Sequence, residues 1–130
     1  MPSGLDLLLL EHNLAVCRLA PDSPVPDWAQ RGTLWSITRT PEELSLVCEA
    51  EDAPPGVRAE YDWRAIQVKG PLDFSMVGVL AALAGPLAEA GIPIFAVSTF
   101  DTDYLLIKEK TIPQAVTALS AAGHRINNHV

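Results

Sequence analysis

The chain has 130 residues, with nine Lys and Arg against sixteen Asp and Glu, a formal charge of −7 at pH 7. That balance excludes nucleic acid and anionic membrane as partners, because both demand clustered cations and no stretch here holds three basic residues together. Hydrophobic residues make up 48% of the sequence, enough for one compact core or two very small lobes, yet no uninterrupted apolar run approaches bilayer length. The start, Met1-Pro2-Ser3-Gly4, lacks the basic segment and cleavage pattern of a secretory leader. A cytoplasmic protein is expected.

In chain order, Leu5–Glu11 and Leu14–Leu19 are strand-like and flank His12-Asn13, which predicts a β-hairpin. Pro21, Pro24 and Pro26 follow, so only Asp27–Arg31 has room for a helical turn. Leu34–Glu49 reads as strand, polar turn and strand, and Glu51–Tyr61, with Pro54-Pro55-Gly56, as a linker.

The second half is more regular. Arg64–Lys69 is a short strand ending at Gly70-Pro71. From Ser75 to Ala90, Met76, Leu80, Leu83 and Leu87 recur at helical spacing, with a bend expected at Pro86 and a C-cap at Gly91. Pro93–Ser98 and Tyr104–Lys108 are strands around the turn Thr99–Asp103. A second helix opens at Thr111, where Thr111 and Gln114 have capping-box spacing, and carries an apolar stripe of Ala115, Leu119 and Ala122. His124–Ile126 closes the order β-α-β-β-α-β, an α+β, ferredoxin-like sandwich. Both helices end in Ala-Gly, as two equivalent α-to-β turns would require.

The first half repeats part of this pattern. Leu34–Glu49 laid on Ile94–Glu109 at an offset of 60 keeps strand, turn and strand in phase, and Ala15–Arg18 fits Ile66–Lys69 at an offset of 51. The first copy is shorter by nine residues in its helical segment. The expected organisation is two tandem lobes, residues 1–62 degenerate and 63–130 complete, with Leu5–Leu10 supplying the fourth strand of the first.

Gly70-Pro71-Leu72-Asp73-Phe74-Ser75, the helix after it, and the stretch Ala96–Ile107 resemble the ACT-domain proteins related to the regulatory region of aspartate kinase. Small free-standing prokaryotic ACT proteins and the lobes of the cytosolic arginine sensor of animal cells are similar. The resemblance runs from Trp63 to Gly123, is most specific over Ser98–Tyr104, and reaches Leu14–Glu49 through the internal repeat. It implies two ACT-like lobes and a non-catalytic module that binds an amino acid between the turn after its first strand and its second strand.

Carried onto this sequence, the implied ligand site is Gly70, Pro71, Leu72, Asp73, Phe74, Ser75 and Met76 with Ile94, Phe95, Ala96, Val97, Ser98, Thr99, Phe100 and Asp103. The chemistry agrees: a helix N-terminus offers amides to a carboxylate, Gly70 lets backbone approach, and Asp103, or its rival Asp73, can balance an ammonium. Met76 stands where the arginine-sensing relatives place an acidic residue, which implies a neutral or apolar ligand. The resemblance also implies a homodimer and a regulated protein in trans. A ligand-free dimerisation or interaction module is the alternative.

The remaining side chains have plainer readings. Cys17 and Cys48, without CxxC or a nearby His, are buried reduced hydrophobes. Asp101 and Asp103 are turn formers rather than a calcium loop, and His12, His124 and His129 adjoin no metal pattern. No hydrolase, phosphate-loop or dinucleotide motif accompanies Ser75, Ser98 or Gly70, so neither catalytic residue, cofactor nor metal is assigned.

Overall fold

The computed structural model describes residues 4–70 and 77–128. They form two compact units, one of residues 12–63 and one of residues 4–11 with 64–70 and 77–128.

The first lobe is built from β2 (Leu14–Leu19), β3 (Ser36–Arg39), β4 (Leu44–Glu49) and the opening half of β5 (Arg58–Val68), with β1 (Asp6–Leu9) preceding them in the other lobe. Its hydrogen-bonded order is β3-β4-β2-β5, every pair antiparallel. Taken as strands one to four this is 2-3-1-4, the ferredoxin-like order. The two helices of that fold are reduced here to 3-10 turns at Asp27–Ala29 and Ala50–Asp52. Three prolines between Leu19 and Asp27 leave no run of amides long enough for more. The first lobe was expected to lack one helix; among the described residues it has no α-helix.

Its core gathers Ala15, Cys17, Ala29, Leu44, Leu46 and Cys48, with Trp28 and Ile37 packed against them. The Cys17 and Cys48 sulfurs lie 4.0 Å apart, unbonded and buried. Contact with Cys17 and then burial push the Cys48 thiol far above the ordinary thiol range, so Cys48 stays protonated and the two thiols pack as small buried side chains.

The fourth strand of this lobe is not Leu5–Leu10. Strand β1 pairs with the second half of β5 (Leu7↔Val68, Leu9↔Ile66) and, in parallel, with β8 (Arg125–Asn128). The expected β1–β2 hairpin does not form either, because both strands take β5 as partner. The residues expected as a linker, 51–61, supply the start of β5, whose Arg58–Glu60 pair with Val16–Arg18. A register shift between Leu14 and Val16 marks a bulge, and beside it Asp62 sits at φ 67, a left-handed conformation Asp tolerates better than most residues.

The second lobe follows β5 with α1 (Val79–Glu89), β6 (Phe95–Ser98), β7 (Asp103–Lys108), α2 (Ile112–Ala121) and β8. Its order is β6-β7-β5-β1-β8, the ferredoxin-like arrangement with β1 inserted between the first and last strands. Leu7, Leu9, Ile66, Val68, Leu105 and Ile107 pack against Val79, Leu83, Leu87, Ala115 and Leu119. Burying each large side chain is worth about 1.5–3 kcal/mol. Helix α1 starts four residues later than the apolar spacing suggests, and its buried face is Val79, Ala82, Leu83 and Leu87, with Leu80 37% exposed. Met76 lies outside the described residues. In α2 Ala122 falls outside the helix and is exposed. The capping box is absent there, because the Thr111 hydroxyl donates to the Lys108 carbonyl instead (2.9 Å).

Both helices end in Schellman turns, as their Ala-Gly endings predict. Gly91 and Ile92 amides bond Ala88 and Leu87 carbonyls, and Gly123 and His124 amides bond Ser120 and Leu119 carbonyls. The repeat itself needs one correction. Strands β3 and β6, β4 and β7, and the 3-10 turns after them all correspond at an offset of 59, and Thr40 and Thr99 open the same turn. An offset of 60 looked equally good because Leu46–Cys48 and Leu105–Ile107 are runs of three buried apolar residues, which tolerate a slip of one.

In the first lobe, Glu49 is 12% exposed and 3.3 Å from His12 Nδ1. Gly32 (φ +87) lies against its carboxylate, where a Cβ would collide. Burial, above all, holds the Glu49 carboxyl above its ordinary value; His12 and the Thr33 amide pull it down, while Asp52 and Glu51 push it up. A group raised in the folded state favours folding when protonated and loses that contribution as pH rises through its folded value. Glu49→Gln is therefore expected to match the parent in stability below about pH 4 and to gain on it toward pH 7, read from urea midpoints across that range. A gain that shrinks as pH rises would contradict this assignment.

Candidate functional site

Hydrogen bonds draw one end of the second lobe's sheet together. Strand β5 ends at Val68, followed by exposed Lys69 and Gly70. Buried Thr102 donates its hydroxyl to the Val68 carbonyl (2.6 Å), which ties the β6–β7 turn to the end of β5. Within that turn the Thr99 amide and hydroxyl both donate to the Thr102 carbonyl (2.8 and 3.0 Å), and the Thr102 amide returns a bond to Thr99 Oγ1 (3.2 Å). The Ser98 hydroxyl donates to Asp103 Oδ1 (2.6 Å) across the base of the turn.

Helix α1 begins at the same end. Its N-cap is Gly78 at φ 78, with no capping side chain and no acidic residue in the first turn. The Ala82 amide closes the first helical turn onto the Gly78 carbonyl (2.8 Å), so the amides ahead of it point out of the helix end, where partial positive charge gathers.

The sequence-assigned residues divide accordingly. Gly70, Ser98, Thr99, Phe100 and Asp103 are brought to this end. Pro71, Leu72, Asp73, Phe74, Ser75 and Met76 lie outside the described residues. Ile94, Phe95, Ala96 and Val97 climb away along β6, which puts Ile94 about 13 Å from Ser98 at a rise near 3.3 Å per residue. Strand β6 pairs with β7 alone among the described residues. Since Thr99 and Thr102 form a hydrogen-bonded pair, alternation turns Val97 and Phe95 toward β7 and directs the Ala96 and Ser98 backbone to the outer edge.

Sequence reasoning missed Thr102, although its spacing of three from Thr99 is the mark of a side-chain-closed turn. It also missed exposed Val77, 82% accessible, and Leu80, while Phe100, which it did assign, is 78% exposed. In the first lobe the counterpart of Ser98 is Arg39, whose guanidinium donates to the Pro21 and Ser23 carbonyls in the loop after β2.

Comparison with known proteins follows this geometry. A family model described as an ACT domain matches residues 58–121, and a second, for an N-terminal domain, matches residues 12–55. A crystal structure of an Agobacterium tumefaciens protein superposes with a TM-score of 0.94 at 35% identity, covering 100% of this chain and 96% of that one. The chain belongs to the ACT-domain family. The human cytosolic arginine sensor for mTORC1 subunit 1 is 40% identical over 58 residues, 44% of this chain and 18% of the sensor. This ACT-domain chain thus spans less than a fifth of the length of the arginine sensors it matches. The regulatory subunit of aspartate kinase from Thermus thermophilus shares the fold alone, with a TM-score of 0.61 at 18% identity, covering 87% of this chain and 93% of that subunit.

Thr102→Val keeps shape and removes the bond to Val68, so it is expected to cost about 1–2 kcal/mol in denaturant unfolding, a buried carbonyl having lost its donor. Thr102→Ser should recover most of that. Equal stability of parent and valine variant would detach the turn from the end of β5.

Proposed function

We propose that this ACT-domain chain is a non-catalytic regulatory protein that binds a small molecule of the amino-acid class at the β5–α1–β6 end of its second lobe and acts in trans on another protein. The observation that carries the reading is the conjunction at that end of helix-start amides without a side-chain cap and a strand edge open to pairing. Amides at a helix start suit a carboxylate, and outward backbone groups of β6 suit an α-amino or carboxyl group. Asp103, held by Ser98, supplies the negative charge an ammonium would seek. Likeness to a protein named as an arginine sensor supports an amino acid as the class.

Signalling follows if the ligand favours one assembly or one partner-binding conformation, since a ligand shifts an equilibrium only by its differential affinity. We place the second lobe in a homodimer interface, an isologous contact being the commonest closed solution.

Thermal unfolding against a panel of the amino acids tests the binding. A ligand present at a hundred times its Kd adds about 2.7 kcal/mol to the folded state, a rise of several degrees in midpoint. Gly70→Val should remove that shift by crowding the backbone. A panel in which nothing moves the midpoint would favour a ligand-free interaction module. Light scattering should return twice the 14.0 kDa of one chain, and a monomer with and without the panel's hits would end the dimer.

A further inference from the structure

His124 follows the C-terminal glycine of α2 and is 5% exposed. Its counterpart after α1 is Ile92, 6% exposed and in the same kind of Schellman turn. An aliphatic side chain therefore meets the packing need at this position, and the imidazole is there for something else.

Both ring nitrogens are engaged. The Leu5 amide donates to Nδ1 (3.2 Å), and Nε2 lies 3.3 Å from the Ala82 carbonyl oxygen. That carbonyl is the one a proline deprives of its helical partner. Pro86 stands four residues on inside α1 and has no N–H to offer. A carbonyl can only accept and an amide can only donate, so the two partners admit one form of the ring: neutral, with its hydrogen on Nε2. The Leu5 carbonyl in turn accepts the Arg125 amide (2.9 Å). Leu5, at the entry of β1, is thus gripped on both sides by the His124-Arg125 pair.

We propose that His124 is a proton-sensitive latch that fastens the N-terminal strand β1 to helix α1. A proton added at Nδ1 sets two donors face to face, which breaks the Leu5 contact and leaves a charge on a buried ring. The elements around the ring offer that charge little. Helix α1 carries no ionisable side chain before exposed Glu89, and α2 carries none. On β1, Asp6 is exposed and already accepts from Arg125 Nε (2.6 Å). On β8, Arg125 is of like sign, with its other donor on the Gly4 carbonyl. On β5, Arg64 donates to the Leu10 carbonyl, and Lys69 beyond its end is exposed and cationic.

Amide exchange of the full chain, corrected for intrinsic rates, reads the latch at Leu5 across the range in which imidazoles titrate, roughly pH 5–8. Protection of the Leu5 amide is expected to fall about tenfold from the upper to the lower end, the worth of one ordinary hydrogen bond. His124→Ile, which copies Ile92, should make Leu5 protection low and independent of pH, while His12→Gln and His129→Gln should leave the fall intact. Protection that is constant in the parent, or that still falls in His124→Ile, would overturn the proposal. Should that variant not fold, ring-nitrogen shifts of the labelled parent near pH 7.5 decide: the Nε2–H form is required, and the Nδ1–H form would refute it.

Discussion

An eleven-residue strand shared by two compact units is the constraint on which the rest of this chain depends. In its first half β5 is the fourth strand of one ferredoxin-like unit, and in its second half it is the first strand of another. A strand needs its side chains to alternate correctly against each unit's core, and one unbroken phase would have to suit both. The bulge beside Asp62 relieves that demand by adding a residue between the two halves. It falls where the first unit ends, at Trp63, and the second resumes, at Arg64.

The position of β1 follows from the same constraint. Since the first lobe receives its fourth strand from β5, it has no vacancy for the N-terminal segment. The second lobe accepts that segment between β5 and β8, and apolar Leu7 and Leu9 enter its core. Strand β8 then meets β1 in parallel, so the last strand of the ferredoxin-like order is held through β1. Such pairing choices are non-local, and the strand-like sequences of Leu5–Glu11 and Leu14–Leu19 carry no information about them. Hence the two looked like a hairpin, and neither pairs with the other.

What could be read from the sequence was local chemistry. The Ala-Gly ends of both helices, the β6–β7 turn and the proline-broken connection of the first lobe each involve a residue with one physical answer, a left-handed glycine, a hydroxyl turn or a missing amide. The start of α1 had no such marker. Val77, Gly78 and Val79 continue an apolar run without Ser, Thr, Asp or Asn, and the cap proved to be glycine. Spacing alone then set Leu80 on the buried face, where Val79 and Ala82 belong. The candidate site shares this division: its turn was legible, Thr102 was overlooked, and residues 71–76 came to the site by resemblance to ACT proteins and not by any pattern of their own.

The two lobes, compared at their true offset of 59, also explain why one is the better candidate for binding. In the second lobe the position at the end of the second strand holds Ser98, short and engaged with Asp103. In the first it holds Arg39, whose guanidinium reaches the Pro21 and Ser23 carbonyls and so bridges the second strand to the loop after the first strand. The helix that would start after that loop is reduced to the turn Asp27–Ala29, three residues long, too short to gather aligned peptide dipoles. A ligand at the first lobe would have to displace an arginine from two carbonyls and would meet no helix start in return. The same loss of α-helix that shortened the first copy thus removed the feature a carboxylate would use, and left a lobe whose buried side chains serve its own core.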